Sequence, residues 1–510
     1  MSIAIDSVKR LAMVVLFVGT AISCSRNPED APDGFTANNL TITNTIVGSA
    51  NTLGQYRMIT FDIRWDHSWR TSGSPDNWDA AWVFCKYRVG NGEWKHATLS
   101  TVSAEHVSPS GSTITPPADG KGVFIYRSED GTGAFSASGV SLRWNCGLDN
   151  VADDADVSVR VFGLEMVNIP EGSFYAGDNG YSSASFTKGS NDPRSWFIDS
   201  EDAIEVTDTA FGGYYYIASK DFWNDIWNAH EDATGTSFTI PADFPKGYRA
   251  IYCMKYEMTQ QQYVDFLNTL NSTQSSSRYN SANFNRFGYS ILENNGVYST
   301  VHPKRACGFL CPADGFAYAD WSGLRPMTEL EFEKICRGSG NVPVSGEFAW
   351  GTTYRRNAVN VNGTESDRET ITESGANSYY LEEGIFSPQF PLIAGIFVDE
   401  GKSREQNGAA FYGVLEMSGN LHETCISVGN QYGRAFTYRN GDGRLAADGC
   451  ADESHWPLSD GVGSGFRGGC LAEEGNHMTI SDRVFAASGE INAIHRHIPW
   501  GFRGVRTVDF

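Results

Sequence analysis

Residues 324–333 read Leu324-Arg325-Pro326-Met327-Thr328-Glu329-Leu330-Glu331-Phe332-Glu333. Thr328 followed by Glu331 is a capping box, in which each side chain satisfies the other's orphan backbone N–H, so a helix starts here. Leu330 and Ile335 fall on its inward face, and Gly338 stands just past its end. The same signature recurs at Thr259-Gln260-Gln261-Gln262, with Tyr263, Phe266, Leu267 and Leu270 on one helical face. Around these helices run long Gly-rich stretches without periodicity. A region of this kind, 163–510, is held together by loop packing, bound ions or disulfides.

Upstream the rhythm has a period of two. Ile59, Phe61, Ile63 and Trp65 alternate with Thr60, Asp62 and Arg64, and Val83, Cys85, Tyr87 and Val89 alternate with Phe84, Lys86 and Arg88. Val157, Val159 and Val161 repeat the pattern. Short alternating strands with turn signals and no helical stripe predict an antiparallel β-sandwich over 39–162. The fold class is therefore α+β, with the sandwich ahead of the loop-rich domain. Trp65, Trp69, Trp78 and Trp82 read as core and strand-edge packing, with a sugar-stacking face as the other reading.

The chain has 510 residues, 39 Lys+Arg against 61 Asp+Glu and a net charge of −22. Such acidity lacks the basic footprint that phosphate backbones require, so no nucleic-acid partner is expected. Lys9 and Arg10 precede the apolar run Leu11–Ile22, which is the length of a signal h-region and too short to span a bilayer. The run ends in Ala21-Ile22-Ser23-Cys24, which resembles a bacterial lipobox. Residues 1–23 read as a lipoprotein signal peptide, Cys24 as the lipidated residue and 24–38 as a flexible tether. The expected location is the bacterial outer membrane or cell surface, with the lipid as the only membrane contact. Export permits disulfides: Cys85 and Cys146 are a candidate pair, and Cys307 and Cys311 are close enough to pair or to serve separate bridges.

The motifs do not stand alone. Glu165-Met166-Val167-Asn168-Ile169-Pro170-Glu171-Gly172-Ser173-Phe174, Tyr256-Glu257-Met258-Thr259, the 324–333 helix start, Glu416-Met417-Ser418-Gly419-Asn420-Leu421-His422-Glu423, Phe466-Arg467-Gly468-Gly469 and Gly501-Phe502-Arg503-Gly504-Val505-Arg506 occur in that order. Together they resemble the formylglycine-generating enzyme (sulfatase-modifying factor) family. The resemblance implies a variant of the C-type lectin fold for 163–510 and does not cover 24–162. Thr424 departs from the family's G-N-V-W-E-W segment, where a Trp is usual.

The family oxidises a cysteine to formylglycine with a copper-binding cysteine pair just past R-G-G-S. Here that stretch reads Cys470-Leu471-Ala472-Glu473-Glu474-Gly475-Asn476-His477-Met478, with a Cys at the Ser position and neither of the expected cysteines. Copper chemistry is therefore not expected to transfer. If the chain is an enzyme, Cys470, Glu473 and His477 are the candidates; Glu473 and His477, with His495 or His497, would suit iron or zinc. Otherwise they are polar loop residues. The family's calcium site maps to the side chains of Glu416 and Glu423 and the carbonyls of Gly419 and Leu421, hard oxygen donors in a loop. A second calcium site is mapped to Asn360 and Val361.

The leading expectation is a lipid-anchored, exported binding or scaffold protein, calcium-stabilised, recognising a protein or glycan through the loops of 430–498. That segment mixes Tyr, Asn, Asp, Gly, His and Arg, a composition suited to adaptable contacts. The alternative is a metal-dependent oxidoreductase, either nonheme iron or a divergent formylglycine generator.

Overall fold

The structure is a computed structural model that describes residues 39–222, 230–365, 368–382, 389–399, 401–457, 460–489 and 495–508. Residues 1–38, within which the expected signal peptide, lipidated Cys24 and tether fall, lie outside the described residues. The fold is α+β. Its strands include β1 (Thr41–Val47), β2 (Arg57–Thr71), β3 (Asn77–Val89), β4 (Ser112–Thr115), β5 (Val123–Arg127) and β6 (Gly131–Trp144). There follow β7 (Val157–Ile169), β8 (Ile251–Met254), β9 (Arg325–Thr328), β10 (His422–Ile426), β11 (Ser464–Arg467) and β12 (Gly504–Thr507). With the short pairs Lys95–His96 and Trp500–Gly501 they form one 14-stranded sheet among the described residues. Its spine runs β1-β2-β3-β7-β8-β12-β9-β10-β11, with β6 on β2, β5 on β3 and β4 on β5. Pairing along the spine is antiparallel except between β9 and β10.

The alternation in β2 does what the pattern implied: Ile59, Phe61, Ile63 and Trp65 are buried while Thr60, Asp62 and Arg64 are not. They join Leu40, Ile42, Val140, Leu142 and Trp144 in one apolar core. β3 differs. Its Ala81, Val83, Cys85 and Tyr87 face that core, whereas Ala80, Trp82 and Phe84 enter a second core shared with Tyr252, Phe266 and Trp321. Even Lys86 is buried, its Nζ donating to the carbonyls of Trp321 (2.7 Å) and Gly443 (2.9 Å). A strand covered on both faces needs apolar residues at odd and even positions, which explains the run Ala80–Cys85.

The expected boundary at 162/163 falls inside β7. β7 pairs with β3 from Asp79↔Val167 to Val89↔Val157, and Met166–Ile169 also pair with β8. A buried charge cluster lies at the same seam. Lys255 Nζ is 3.1 Å from Asp79 Oδ2 and 3.1 Å from Glu165 Oε2. Asp79 also accepts from Trp65 Nε1 (2.9 Å), Ser68 Oγ (2.8 Å) and the Trp69 N–H (3.0 Å).

The tryptophans are packing residues. Trp65 and Trp82 have no exposed surface, Trp78 Nε1 donates to Tyr252 Oη at 2.9 Å, and Trp69 lies over Lys255. The expected disulfides are absent: Cys85, Cys146, Cys307 and Cys311 are all free and buried. Spacing had brought Cys85 and Cys146 into one core, where each behaves as a small apolar residue.

Among the described residues the α-helices are α1 (Gln260–Leu267), α2 (Ser272–Arg278), α3 (Pro312–Ser322), α4 (Glu329–Arg337) and α5 (Gln431–Arg434). Both expected capping boxes form. In α1, Gln262 N–H donates to Thr259 Oγ1 (3.4 Å) and Thr259 N–H to Gln262 Oε1 (2.9 Å). In α4 the corresponding distances are 3.1 and 2.9 Å. α3 escaped sequence reading because every residue in it is buried, which leaves no amphipathic stripe to detect.

The three carboxylates of α4 point into the protein. Glu329 meets Arg467 (3.2 Å) and Arg483 (2.6 Å), Glu331 meets Arg325 (2.6 Å), and Glu333 meets Arg467 (2.9 Å) and Arg337 (3.0 Å). All are essentially solvent-free. The residues that make the sequence motifs recognisable are thus a buried ion lattice.

Candidate functional site

β10 and β11 run side by side with Glu423 opposite Arg467. The loop entering β10 therefore lies against the loop leaving β11, and Gly419 N–H donates to the Gly468 carbonyl at 2.9 Å. Two glycines permit the approach. Gly419 has φ 95° and a Cβ there would stand 2.7 Å from the Tyr379 carbonyl; Gly469 has φ 64° and a Cβ would meet the His477 backbone at 2.9 Å.

This packing brings His422, Cys470 and Glu473 together, with one donor atom from each within 4.8 Å of the others. His422 Nε2 is 3.1 Å from Glu473 Oε1. His422 and Cys470 are buried, whereas the Glu473 side chain is 21% exposed. Burial opposes the imidazolium of His422, but Glu473 and Cys470 outweigh it and hold the ring well above its ordinary value. Burial pushes the Cys470 thiol up, assisted by Glu473 and countered by His422. His422 Nδ1 and Glu473 Oε2 have no hydrogen-bond partner.

Of the expected candidates, Cys470 and Glu473 meet and His477 turns elsewhere. Its Nδ1 lies 3.4 Å from Asp482 Oδ2, and that contact raises its pKa. His497 packs edge-on against Trp500 at 4.4 Å, with His495 6.2 Å away from it. Sequence reading missed His422. The signal was present: a histidine stands where G-N-V-W-E-W carries its first Trp.

The opposite face of β10 carries Glu423, since successive strand residues alternate. Arg503 Nη2 lies 2.8 Å from its Oε1. Glu416 Oε1 accepts the Gly395 N–H at 2.5 Å. Glu257, from the Tyr-Glu-Met-Thr motif, accepts from Asn420 Nδ2 (2.5 Å) and the Leu421 N–H (2.9 Å). Burial lifts the pKa of all three, and repulsion from Glu423 adds to it for Glu257 and Glu416; Glu416 reaches about 7. Glu416 Oε2 and Glu423 Oε2 are buried and unpartnered. The expected calcium carboxylates therefore each leave one oxygen of the kind a hard cation would satisfy, while Arg503 already balances one of the charges. Asn360 and Val361 are placed differently. Asn360 donates twice to Glu373 Oε1 (2.9 and 2.6 Å), its carbonyl accepts the Thr372 N–H (3.1 Å), and Val361 pairs with Ile371. Glu373 is the carboxylate brought to that pair.

Within the 430–498 loops, Tyr432, His455, Trp456 and Asp460 line a cleft of about 420 Å³ together with His230. Tyr432 is 50% exposed.

An α+β domain with few helices, long ordered loops and buried arginine–glutamate pairs at the 324–333, 416–423, 466–469 and 501–506 motifs defines the class. The sulfatase-modifying factor enzyme 1-like domain matches residues 159–508, and the chain belongs to that family. No curated protein matches the chain. Among solved structures, Treponema denticola variable protein 1 is 13% identical over 68% of this chain and 95% of its own, with a TM-score of 0.32.

Proposed function

We propose that the protein is an exported, lipid-anchored binding or scaffold protein that recognises a protein or glycan through the loops of 430–498. The observation that carries this reading is the cleft of about 420 Å³, with its half-exposed Tyr432 beside His455, Trp456 and Asp460. An aromatic wall with a few polar groups suits recognition of a sugar face or a side chain. The sequence supports it too, since neither cysteine of the family's copper pair is present and Glu473 and His477 lie near the positions they would occupy. In this reading residues 39–162 form a sandwich, 163–510 a C-type-lectin-type domain, and calcium at Glu416 and Glu423 rigidifies the loops.

Glycan and cell-surface protein arrays probed with the full chain test it. Tyr432→Ala and His455→Ala are expected to weaken the captured ligand about tenfold each, as central contacts do. Copper-dependent conversion of a cysteine peptide to the aldehyde would overturn the reading. The second reading, a metal-dependent oxidoreductase, would rest on the cluster of His422, Cys470 and Glu473 and would require a redox-active ion there.

A further inference from the structure

We propose that His422, Cys470 and Glu473 form a three-ligand site for zinc, with its fourth position open towards the exposed side of Glu473. The site goes beyond the surface-binding reading and stands whether or not that reading holds.

The donor chemistry is specific. A thiolate, an imidazole and a carboxylate are the three side-chain types that bind Zn²⁺, and three protein ligands plus a solvent molecule complete a tetrahedron. Donors on one zinc lie roughly 3.3–3.8 Å apart, given bonds of about 2.0–2.3 Å. The atoms here lie within 4.8 Å of one another, so small side-chain rotations close the set. The loops that carry them are already fixed by Gly419 N–H to the Gly468 carbonyl (2.9 Å) and Leu471 N–H to the Asn420 carbonyl (2.9 Å).

An ion pair between His422 and Glu473 alone accounts for less. It leaves Glu473 Oε2 and His422 Nδ1 buried without partners. Unmet buried polar atoms are costly, and a divalent cation removes that cost by drawing on the carboxylate and the ring together. It also displaces the Cys470 proton to solvent, so that the thiol becomes a thiolate ligand. The alternation of β10 separates this borderline-soft set from the hard oxygens of Glu416 and Glu423 on the other face, so the two sites select different ions.

The test uses the full-length protein stripped by a chelator. Zinc titrated against a chromophoric competitor should bind at one equivalent, and Co²⁺ should give the near-ultraviolet thiolate-to-cobalt band with intense tetrahedral d–d absorption. Cys470→Ser should abolish that band and weaken zinc by about a hundredfold or more, as loss of a ligand must exceed loss of an outer-shell partner. Glu473→Gln, at the partly exposed member, should weaken zinc while leaving the circular dichroism intact; it keeps the test decisive should Cys470→Ser not fold. His477→Ala should change neither affinity nor spectrum. No cobalt–thiolate band, zinc affinity unaltered in Cys470→Ser and Glu473→Gln, or loss of binding in His477→Ala would each overturn the assignment.

Discussion

The two regions of this protein solve burial in opposite ways. Around β2 and β6 the interior is apolar: Ile59, Phe61, Ile63, Leu142 and Trp144 pack with no buried ion pair among them. Around α4 the interior is charged, and Glu329, Glu333, Arg467, Arg483 and Arg337 form a continuous lattice without solvent. The first kind of core is sensitive to lost volume and indifferent to pH. The second holds its loops in one geometry, and each member depends on its partners, since an uncompensated buried charge is expensive.

That contrast can be broken experimentally. The largest effect is expected for Arg467→Ala, which removes the arginine shared by Glu329 and Glu333, leaves each carboxylate with one guanidinium, and should cost about 3–5 kcal/mol by urea unfolding. Lys255→Ala at the seam should behave similarly, because Asp79 and Glu165 then face each other without a counter-charge. Leu142→Ala in the apolar core should cost about 2–5 kcal/mol and, unlike the charge variants, show the same loss at pH 5 and pH 8.

A smaller, pH-dependent effect sharpens the comparison. Burial raises Glu416 to about 7 in the folded state, so the folded protein holds a proton that the unfolded chain releases near the ordinary glutamate value of 4.5. Stability from this group is present below that value and is lost as pH rises towards 7. In chelator, Tm should therefore fall between pH 5 and pH 7.5; calcium, binding the ionised form, should flatten the slope, and Glu416→Gln should flatten it without calcium. A Tm insensitive to calcium across that range would remove calcium from the account. The smallest effect concerns the thiols: with Cys85, Cys146, Cys307 and Cys311 free, a reductant should leave Tm unchanged.

Much of this was legible in the sequence, unevenly. The capping boxes at Thr259 and Thr328 and the alternation of β2 follow from local physics, which the structure preserves. β3 was read as half-buried because Lys86 and Arg88 alternate with apolar residues; the second region covers its other face, a tertiary fact no local pattern encodes. The carboxylates of α4 look like a solvated helix face until Arg467 and Arg483, more than a hundred residues downstream, are brought against them. Cys470 and Glu473 were visible as chemistry, whereas His422 was hidden inside a motif where it replaces an aromatic residue.

The position of β12 bears on how the molecule is made. Gly504–Thr507 lies in the middle of the sheet between β8 and β9, about 250 residues after β8 leaves the ribosome. At roughly 5–20 residues per second that interval lasts on the order of 12–50 s. Through all of it one edge of β8 has no strand to pair with, open to any other extended chain. The nascent protein therefore has a defined period in which a chaperone at that edge decides between completing the sheet and joining a neighbour's.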